Sequence, residues 1–410
     1  MGSKINGDTS VSEDSAFRVG HFNINGKKLS VPLQALDIKK YHESKINFGD
    51  LDIDVGEVYR TYSKEKLKLF REFPERAAEE ERKLNLWKES VKKDSSTRFL
   101  FIRFEGKEYP NEDEMKTLIS ISYSFSDATP IPAFPDIFKE ALTRSKRSGQ
   151  PVTETKVRVT EEKLKAFFDF LDKYIGLLND WNHKDILGII PINIGTQNIV
   201  KLISFYYSKG VNHFYLDLNM AAFNRLIDTP LMHGILSELK RVGLEYQKTF
   251  FYSINGSPGR FTKGNSIIGG KDILTGGAGL DCVGRIHLGA GGNGKKITDP
   301  RVLEKLKLNG IRLFNKEDYG YYKLESKSLP FKLPEDNIVD KNLLTDLNKG
   351  KKFSDIFNMH QLSIENKNLR IYIQEGFKPL TKIEKEKNKV SKIDIKSIQN
   401  YRTKDLKSLI

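Results

Sequence analysis

The stretch Thr249 to Gly294 sets Asp281, Arg285 and His287 among glycines: thirteen of the chain's 31 glycines fall between Gly256 and Gly294. Glycine weakens regular structure, so such a density signals either a long loop or backbone that closely approaches a ligand. These glycines flank two strand-like runs and surround an acid, a guanidinium and an imidazole, which favours a binding site. A carboxylate can act as nucleophile or proton carrier, an imidazole as base, and cations can hold phosphates. Two further carboxylates are candidates. Asp217 closes an apolar run, and Asp127 follows another just before Pro130. Each reads equally as a site residue or as a cap of its own turn.

Gly289 to Gly294 leads into Lys295 and Lys296. The run misses the phosphate-binding pattern G-x-x-x-x-G-K-[ST], because Lys296 stands where the magnesium-binding Ser or Thr belongs. ATP hydrolysis is therefore not expected. His183, His213 and His233 lack metal-ligand spacing, and Cys282 is the only cysteine. No metal site and no cofactor are expected. An intrachain disulfide and a cysteine-based zinc cluster are excluded, which suits a reducing cytoplasm.

These residues must be positioned by an α/β frame. From Asp185 to Ile254 apolar strands alternate with amphipathic helices: Asp185–Ile194, Val211–Leu218 and Thr249–Ile254 against Thr196–Lys209 and Met232–Val242. That pattern means a parallel sheet covered on both faces. A dinucleotide-binding open sheet would carry G-x-G-x-x-G after its first strand, and Gly195-Thr196-Gln197-Asn198 does not fit. A TIM (β/α)8-like barrel is preferred, which makes the polar residues at strand C-termini functional: Asn193, Asp217, Asn219, Ser253 and Asn255.

Earlier in the chain, residues 1–15 read as a disordered leader, and Phe17–Leu33 as a hairpin around Asn25-Gly26. A helical insertion covers 63–94, capped by Ser63 and broken at Pro74. Thr97–Phe104 and Thr117–Phe125 read as strands, Asp136–Arg147 as a short basic helix, and Thr160 as the cap of a helix with Leu164, Phe167, Phe168, Leu171 and Ile175 on one face. The barrel domain is drawn at 16–330. Beyond it lies a helical, basic extension, 331–410, with helices at Asp340–Leu347 and Leu362–Gln374. Its last segment, Lys378–Ile410, holds ten Lys or Arg against four Asp or Glu, and is either a nucleic-acid arm or a solvated terminus. The net charge of +14 points to an acidic partner, with nucleic acid the usual candidate. No apolar run reaches membrane-spanning length.

Leu280-Asp281-Cys282-Val283, the basic loop ending Asn293-Gly294, and Arg312-Leu313-Phe314 resemble the tRNA-guanine transglycosylase family. Pro191-Ile192-Asn193-Ile194-Gly195 and Tyr215–Asn219 are similar to two of that family's strand ends, and Phe357-Asn358 with Gln374-Glu375-Gly376 to its closing helix. The likeness covers roughly 185–324 and 355–376. It departs in three places: the D-S-G-G-F-Q run is missing, with Ser126-Asp127-Ala128 nearest in position; the zinc ligands are absent; and the Q-G-G turn is reduced to Ile194-Gly195-Thr196.

The resemblance implies exchange of a guanine-type base, a purine or 7-deazapurine, in tRNA or DNA. Asp281 would be the nucleophile at the ribose, where an anion stabilises an oxocarbenium-like transition state. Asp217 or Asp127 would be the second acid. Asn193, Asn219 and Asn255 would read the base, and Gly195, Gly256 and Gly279 would wall its pocket. Arg285, His287, Lys295 and Lys296 would hold phosphates around an extruded nucleotide. The departures fit a divergent transferase or a tRNA-binding relative without catalysis. An unrelated barrel enzyme acting on a small phosphorylated metabolite remains a third reading, and the oligomeric state is open, with a homodimer as one candidate.

Overall fold

A computed structural model describes residues 5–44, 54–90, 96–145, 151–157, 159–181, 184–227, 231–262, 264–288 and 299–401. The chain is a mixed α/β protein around a six-stranded parallel sheet. The strand order is Leu33–Gln34, Cys282–Val283, Phe251–Ile254, His213–Asp217, Ile186–Pro191, Thr129–Pro130. A second parallel sheet holds Leu36–Asp37, Val55–Ser63 and Thr97–Glu105. The two sheets meet at both edges, by chain continuity at one and by backbone hydrogen bonds at the other. Ala35, which joins Gln34 to Leu36, donates to the Val283 carbonyl (3.0 Å). At the other side Phe104 donates to Ala133 (2.9 Å) and Ala133 to Ile102 (2.7 Å).

The strands are apolar because both faces are covered. Phe214, Tyr215, Leu216, Phe251 and Tyr252 are all fully buried. The helices Glu161–Asn179, Thr196–Ser208 and Leu231–Val242 each turn an apolar stripe inward. Two of them end where left-handed glycines stop the chain, Gly210 at φ 76° and Gly243 at φ 83°. Lys64–Glu72 and Pro74–Ser90 form the expected pair, with Ser63 accepting from the Lys66 amide and Pro74 opening the second helix.

Several expectations are corrected. Residues 6–11 form a strand, Asn6–Val11, that pairs antiparallel with Arg18–Ile24, so the leader is not disordered over that span. The hairpin itself, Arg18–Ile24 with Lys27–Val31, turns at Asn25 and Gly26, both at positive φ as a type I′ turn requires. Thr117–Phe125 belongs to a helix, Glu112–Phe125; a capping box between Asn111 and Glu114 starts it, and Met115, Leu118, Ile119, Ser122 and Phe125 bury one helical face. Lys139–Ser145 is a strand paired with Pro151–Val157, not a helix. Val55–Ser63, absent from the sequence reading, is the nine-residue centre of the second sheet.

The region after residue 330 is helical, and its helices pack on the rest of the chain. The helix Gly350–Gln374 packs on Arg312–Asn315, where Asn358 accepts from the Phe314 amide (2.7 Å) and donates to the Arg312 carbonyl (2.8 Å). Pro379–Glu386 and Lys392–Tyr401 bury Leu380, Ile383, Ile395 and Ile398 in a cluster with Phe17 and Ile273. Through Tyr401 the basic segment is thus a packed part of the molecule rather than a free arm.

Candidate functional site

The hairpin lies against the ends at which the parallel strands begin, and two of the three expected catalytic carboxylates are there with it. Asp281 precedes Cys282–Val283, and its amide donates to the carbonyl of Phe251 (2.9 Å), the first residue of the neighbour strand. Arg18, on the hairpin, grips both its oxygens through Nε and Nη2. The Phe251 amide donates to the same carboxylate (2.7 Å). Both side chains are buried. Burial pushes the Asp281 carboxyl up, and the Arg18 guanidinium opposes it. The arrangement is that of an anchor: both oxygens are occupied and the side chain is buried.

Asp127 repeats the arrangement. Its oxygens accept from Lys27 Nζ (2.8 and 2.9 Å) and from the Arg98 amide (2.7 Å), beside the start of Thr97–Glu105. Gly279 is also at this end. It takes φ 109°, and a Cβ there would lie 3.3 Å from the Tyr246 hydroxyl. The Asp281 and Gly279 assignments are corrected accordingly, and Asp127 becomes a tie to the hairpin.

Asp217 is at the opposite end. It closes His213–Asp217 in register with Ile254, the last residue of Phe251–Ile254. That is three residues, about 10 Å, along the strands from the level of Asp281. Its Oδ1 accepts from Asn255 Nδ2 (3.0 Å) and from the Asn219 amide (3.0 Å). Asn255 and Asn219 both hold left-handed backbone, φ 57° and 44°, which Asn tolerates better than most residues. The carboxyl is 6% exposed. Burial raises its pKa, against the hydrogen bonds from Asn255 and Asn219 and the charges of Arg103 and His287.

Asn255 ties Asp217 to a second group. Its Oδ1 accepts from the His287 amide (3.0 Å), and its own amide donates to the Arg285 carbonyl (3.0 Å). The His287 ring stacks on Tyr59 at 5.1 Å, tilted by 4°. Its Nε2 is 2.8 Å from Glu57 Oε1 and its Nδ1 3.5 Å from Asp37 Oδ2. Burial alone would lower the imidazole pKa; the Glu57 and Asp37 carboxylates outweigh it and carry it to about 9. Asp37 shows the converse. Burial would raise it, but the His287 hydrogen bond and charge, with Lys40, bring it down to about 2. Glu57, fully buried, also accepts from the Tyr252 hydroxyl and the Arg285 amide. A Cβ at Gly284 would fall 2.4 Å from Glu57 Oε2, so glycine there leaves the room this carboxylate fills.

Sequence reasoning brought together Asp217, Asn219, Asn255, Arg285 and His287. It missed Asp37, Glu57, Tyr59 and Arg103. The available signal was in Val55–Tyr62, where β-branched and aromatic residues flank a lone glutamate. His287 is corrected from phosphate ligand to the centre of a carboxylate pair. Arg285 turns its Nη2 to the Asp355 carbonyl (3.2 Å). Asn193 and Gly195 lie in the turn after Ile186–Pro191, with Gly195 at φ 86° before its helix. Gly256 is a packing position: a Cβ would meet the Phe223 ring at 2.3 Å. Lys295 and Lys296 lie outside the described residues.

Among the described residues, no group of three or more His, Cys, Asp or Glu side chains is placed to hold a metal ion, and no helix is long and apolar enough to cross a membrane. No protein-family model matches the chain, and a search of curated proteins finds no match.

Proposed function

We propose that the chain is a (β/α)8-barrel enzyme that exchanges a guanine-type base in a polynucleotide, a divergent relative of the tRNA-guanine transglycosylases, with Asp217 as its acid. Support for the ring comes from the chain itself at one edge, where Leu33–Gln34 runs through Ala35 into Leu36–Asp37, and from the hydrogen bonds of Phe104 and Ala133 at the other. In a barrel the chemistry belongs at the strand C-termini. The observation that carries the reading is Asp217 itself, a buried carboxyl held by Asn255 at that rim, beside the part-exposed Asn219, whose side-chain amide can read a purine edge.

The proton on Asp217 goes to a ring nitrogen of the leaving purine as the bond to ribose C1′ breaks, so the base departs neutral. The carboxylate left behind is stabilised by the Asn255 and Asn219 N–H groups and by the Arg103 and His287 charges. Its negative charge then faces the developing oxocarbenium ion; the incoming base bonds C1′ through its ring nitrogen and gives that nitrogen's proton to the Asp217 carboxylate, which closes the exchange. His287, fixed between Glu57 and Asp37, contributes a fixed positive charge and needs to release no proton.

A second reading has its own observation. Arg18 occupies the carboxylate expected to be the nucleophile, which favours a nucleic-acid-binding relative without catalysis. One experiment separates them: labelled guanine or 7-deazaguanine is incubated with RNA and DNA, and incorporation is followed in the parent chain and in Asp217→Asn. The enzyme reading expects incorporation that falls about 100-fold or more in the variant. Salt-sensitive binding without incorporation would establish the second reading.

A further inference from the structure

The loop that leaves Asn255 leads within six residues to a different surface. Arg260, Phe261, Lys305, Arg312, Lys323 and Glu325 line an open groove of about 710 Å³ between that loop, the helix Pro300–Asn309 and the hairpin Arg312–Asn315 with Gly320–Lys323. Four of the six are cations. Arg312 is held in place: Nη1 donates to the Gly259 carbonyl (3.0 Å), and the guanidinium stands 5.0 Å from the Phe261 ring centroid. Lys323 approaches the same ring at 5.7 Å.

The charges are not neutralised from within. Lys323 has Glu325 at 3.8 Å. Among the described residues no carboxylate lies within ion-pair distance of Arg260, Lys305 or Arg312, although Arg312 is only half-exposed. Arg312 feels the Asp355 charge but makes no ion pair with it, and holding a guanidinium partly out of water without a direct pair is unfavourable. A ligand that brings an anion recovers that cost, and several like charges around one concavity select a ligand with several anions. An aromatic ring set among cations is the pattern of single-strand sites, where bases stack and phosphates pair. A base that is to reach the strand C-termini must also be out of its helix.

We infer that this groove binds the phosphodiester backbone of a single-stranded segment of nucleic acid and leads it toward Asn255. The inference deepens the reading of the substrate as a polynucleotide and rests on it.

The test is binding of a fluorescein-labelled single-stranded oligonucleotide, as RNA and as DNA, to the full chain, followed by anisotropy across a salt series. Arg260→Ala/Lys305→Ala removes two exposed cations that hold no carboxylate, so the fold is retained. Losing two phosphate contacts should flatten the log–log salt slope by about 1.4, which corresponds to roughly 25-fold weaker binding near 0.1 M salt. Phe261→Leu should weaken binding about fivefold or more. The control Lys165→Ala/Lys201→Ala carries the same charge change on remote helices and should leave the slope unchanged. Equal losses in the groove and control variants would overturn the inference. So would equal affinity for a duplex of the same sequence, or displacement of the oligonucleotide by micromolar inorganic phosphate, which would mark a small-anion site. If the parent exchanges no base yet the groove variant still loses affinity, the enzymatic reading fails and the groove stands.

Discussion

Replacing Asp281 by alanine tests whether this residue anchors the fold or performs chemistry. The substitution removes both acceptors of a guanidinium whose side chain is 1% exposed. Arg18 would keep only the carbonyls of Tyr246 and Thr249 and the faces of the Tyr246 and Phe22 rings. A buried ion pair broken from one side costs about 3–5 kcal/mol, because the remaining charge is uncompensated. Unfolding entropy of about 2.1 cal/mol/K per residue gives this chain of 410 residues nearly 0.9 kcal/mol/K, if it unfolds as one unit. The expected fall in Tm is therefore about 5 °C. Arg18→Met should cost a similar amount. Arg18→Met/Asp281→Ala should cost less than the sum by about 2 kcal/mol or more, since no lone charge is left. Urea unfolding at pH 7, read by the fluorescence of Trp87 and Trp181, measures all three. If the costs simply add, the two side chains do not act as a pair. If Asp281→Ala unfolds like the parent but loses base exchange, the anchor assignment is wrong and the residue is catalytic.

Three further outcomes follow from the geometry. The His287 pair should make stability pH-dependent. An imidazole raised from 6.5 to about 9 contributes about 3 kcal/mol, fully present below pH 6.5 and lost as pH rises toward 9. Urea midpoints from pH 6 to 9.5 should therefore fall in the parent and stay flatter in His287→Gln; parallel curves would refute the pairing. Gly256→Ala drives a methyl into the Phe223 ring and should cost about 1–3 kcal/mol in the same assay, with no loss expected if the Phe223 ring can swing clear. Asp127→Asn weakens the link to Lys27 and the Arg98 amide, and about 1–2 kcal/mol is expected; a loss of base exchange at unchanged stability would instead return Asp127 to the chemistry.

The parts legible in the sequence were those whose pattern is set by burial. Runs such as Phe214-Tyr215-Leu216 and Phe250-Phe251-Tyr252 can only be strands covered on both faces, and the helices between them show their stripes plainly. The misreadings have local causes. Ile119, Ile121 and Tyr123 alternate with serines and imitate a strand, but the residues that are buried follow the helical period from Met115 to Phe125. Val55–Ser63 was passed over because Glu57 and Arg60 interrupt its apolar run. Glu57 belongs there only because Tyr252, the Arg285 amide and His287 satisfy it, and none of these is near it in the chain.

The site turns on the same point. A carboxylate next to a strand looks alike at either end of that strand, so neither composition nor spacing separates Asp281 from Asp217. What separates them is the partner. Asp281 and Asp127 face Arg18 and Lys27 on the hairpin, cations in strong direct contact that leave no oxygen for a substrate. Asp217 is in direct contact only with neutral N–H donors, with the Arg103 and His287 charges further off. The first arrangement fastens an antiparallel sheet onto the strand N-termini. The second leaves a carboxyl at the strand C-termini with no direct ion pair, where general-acid chemistry would act in a barrel.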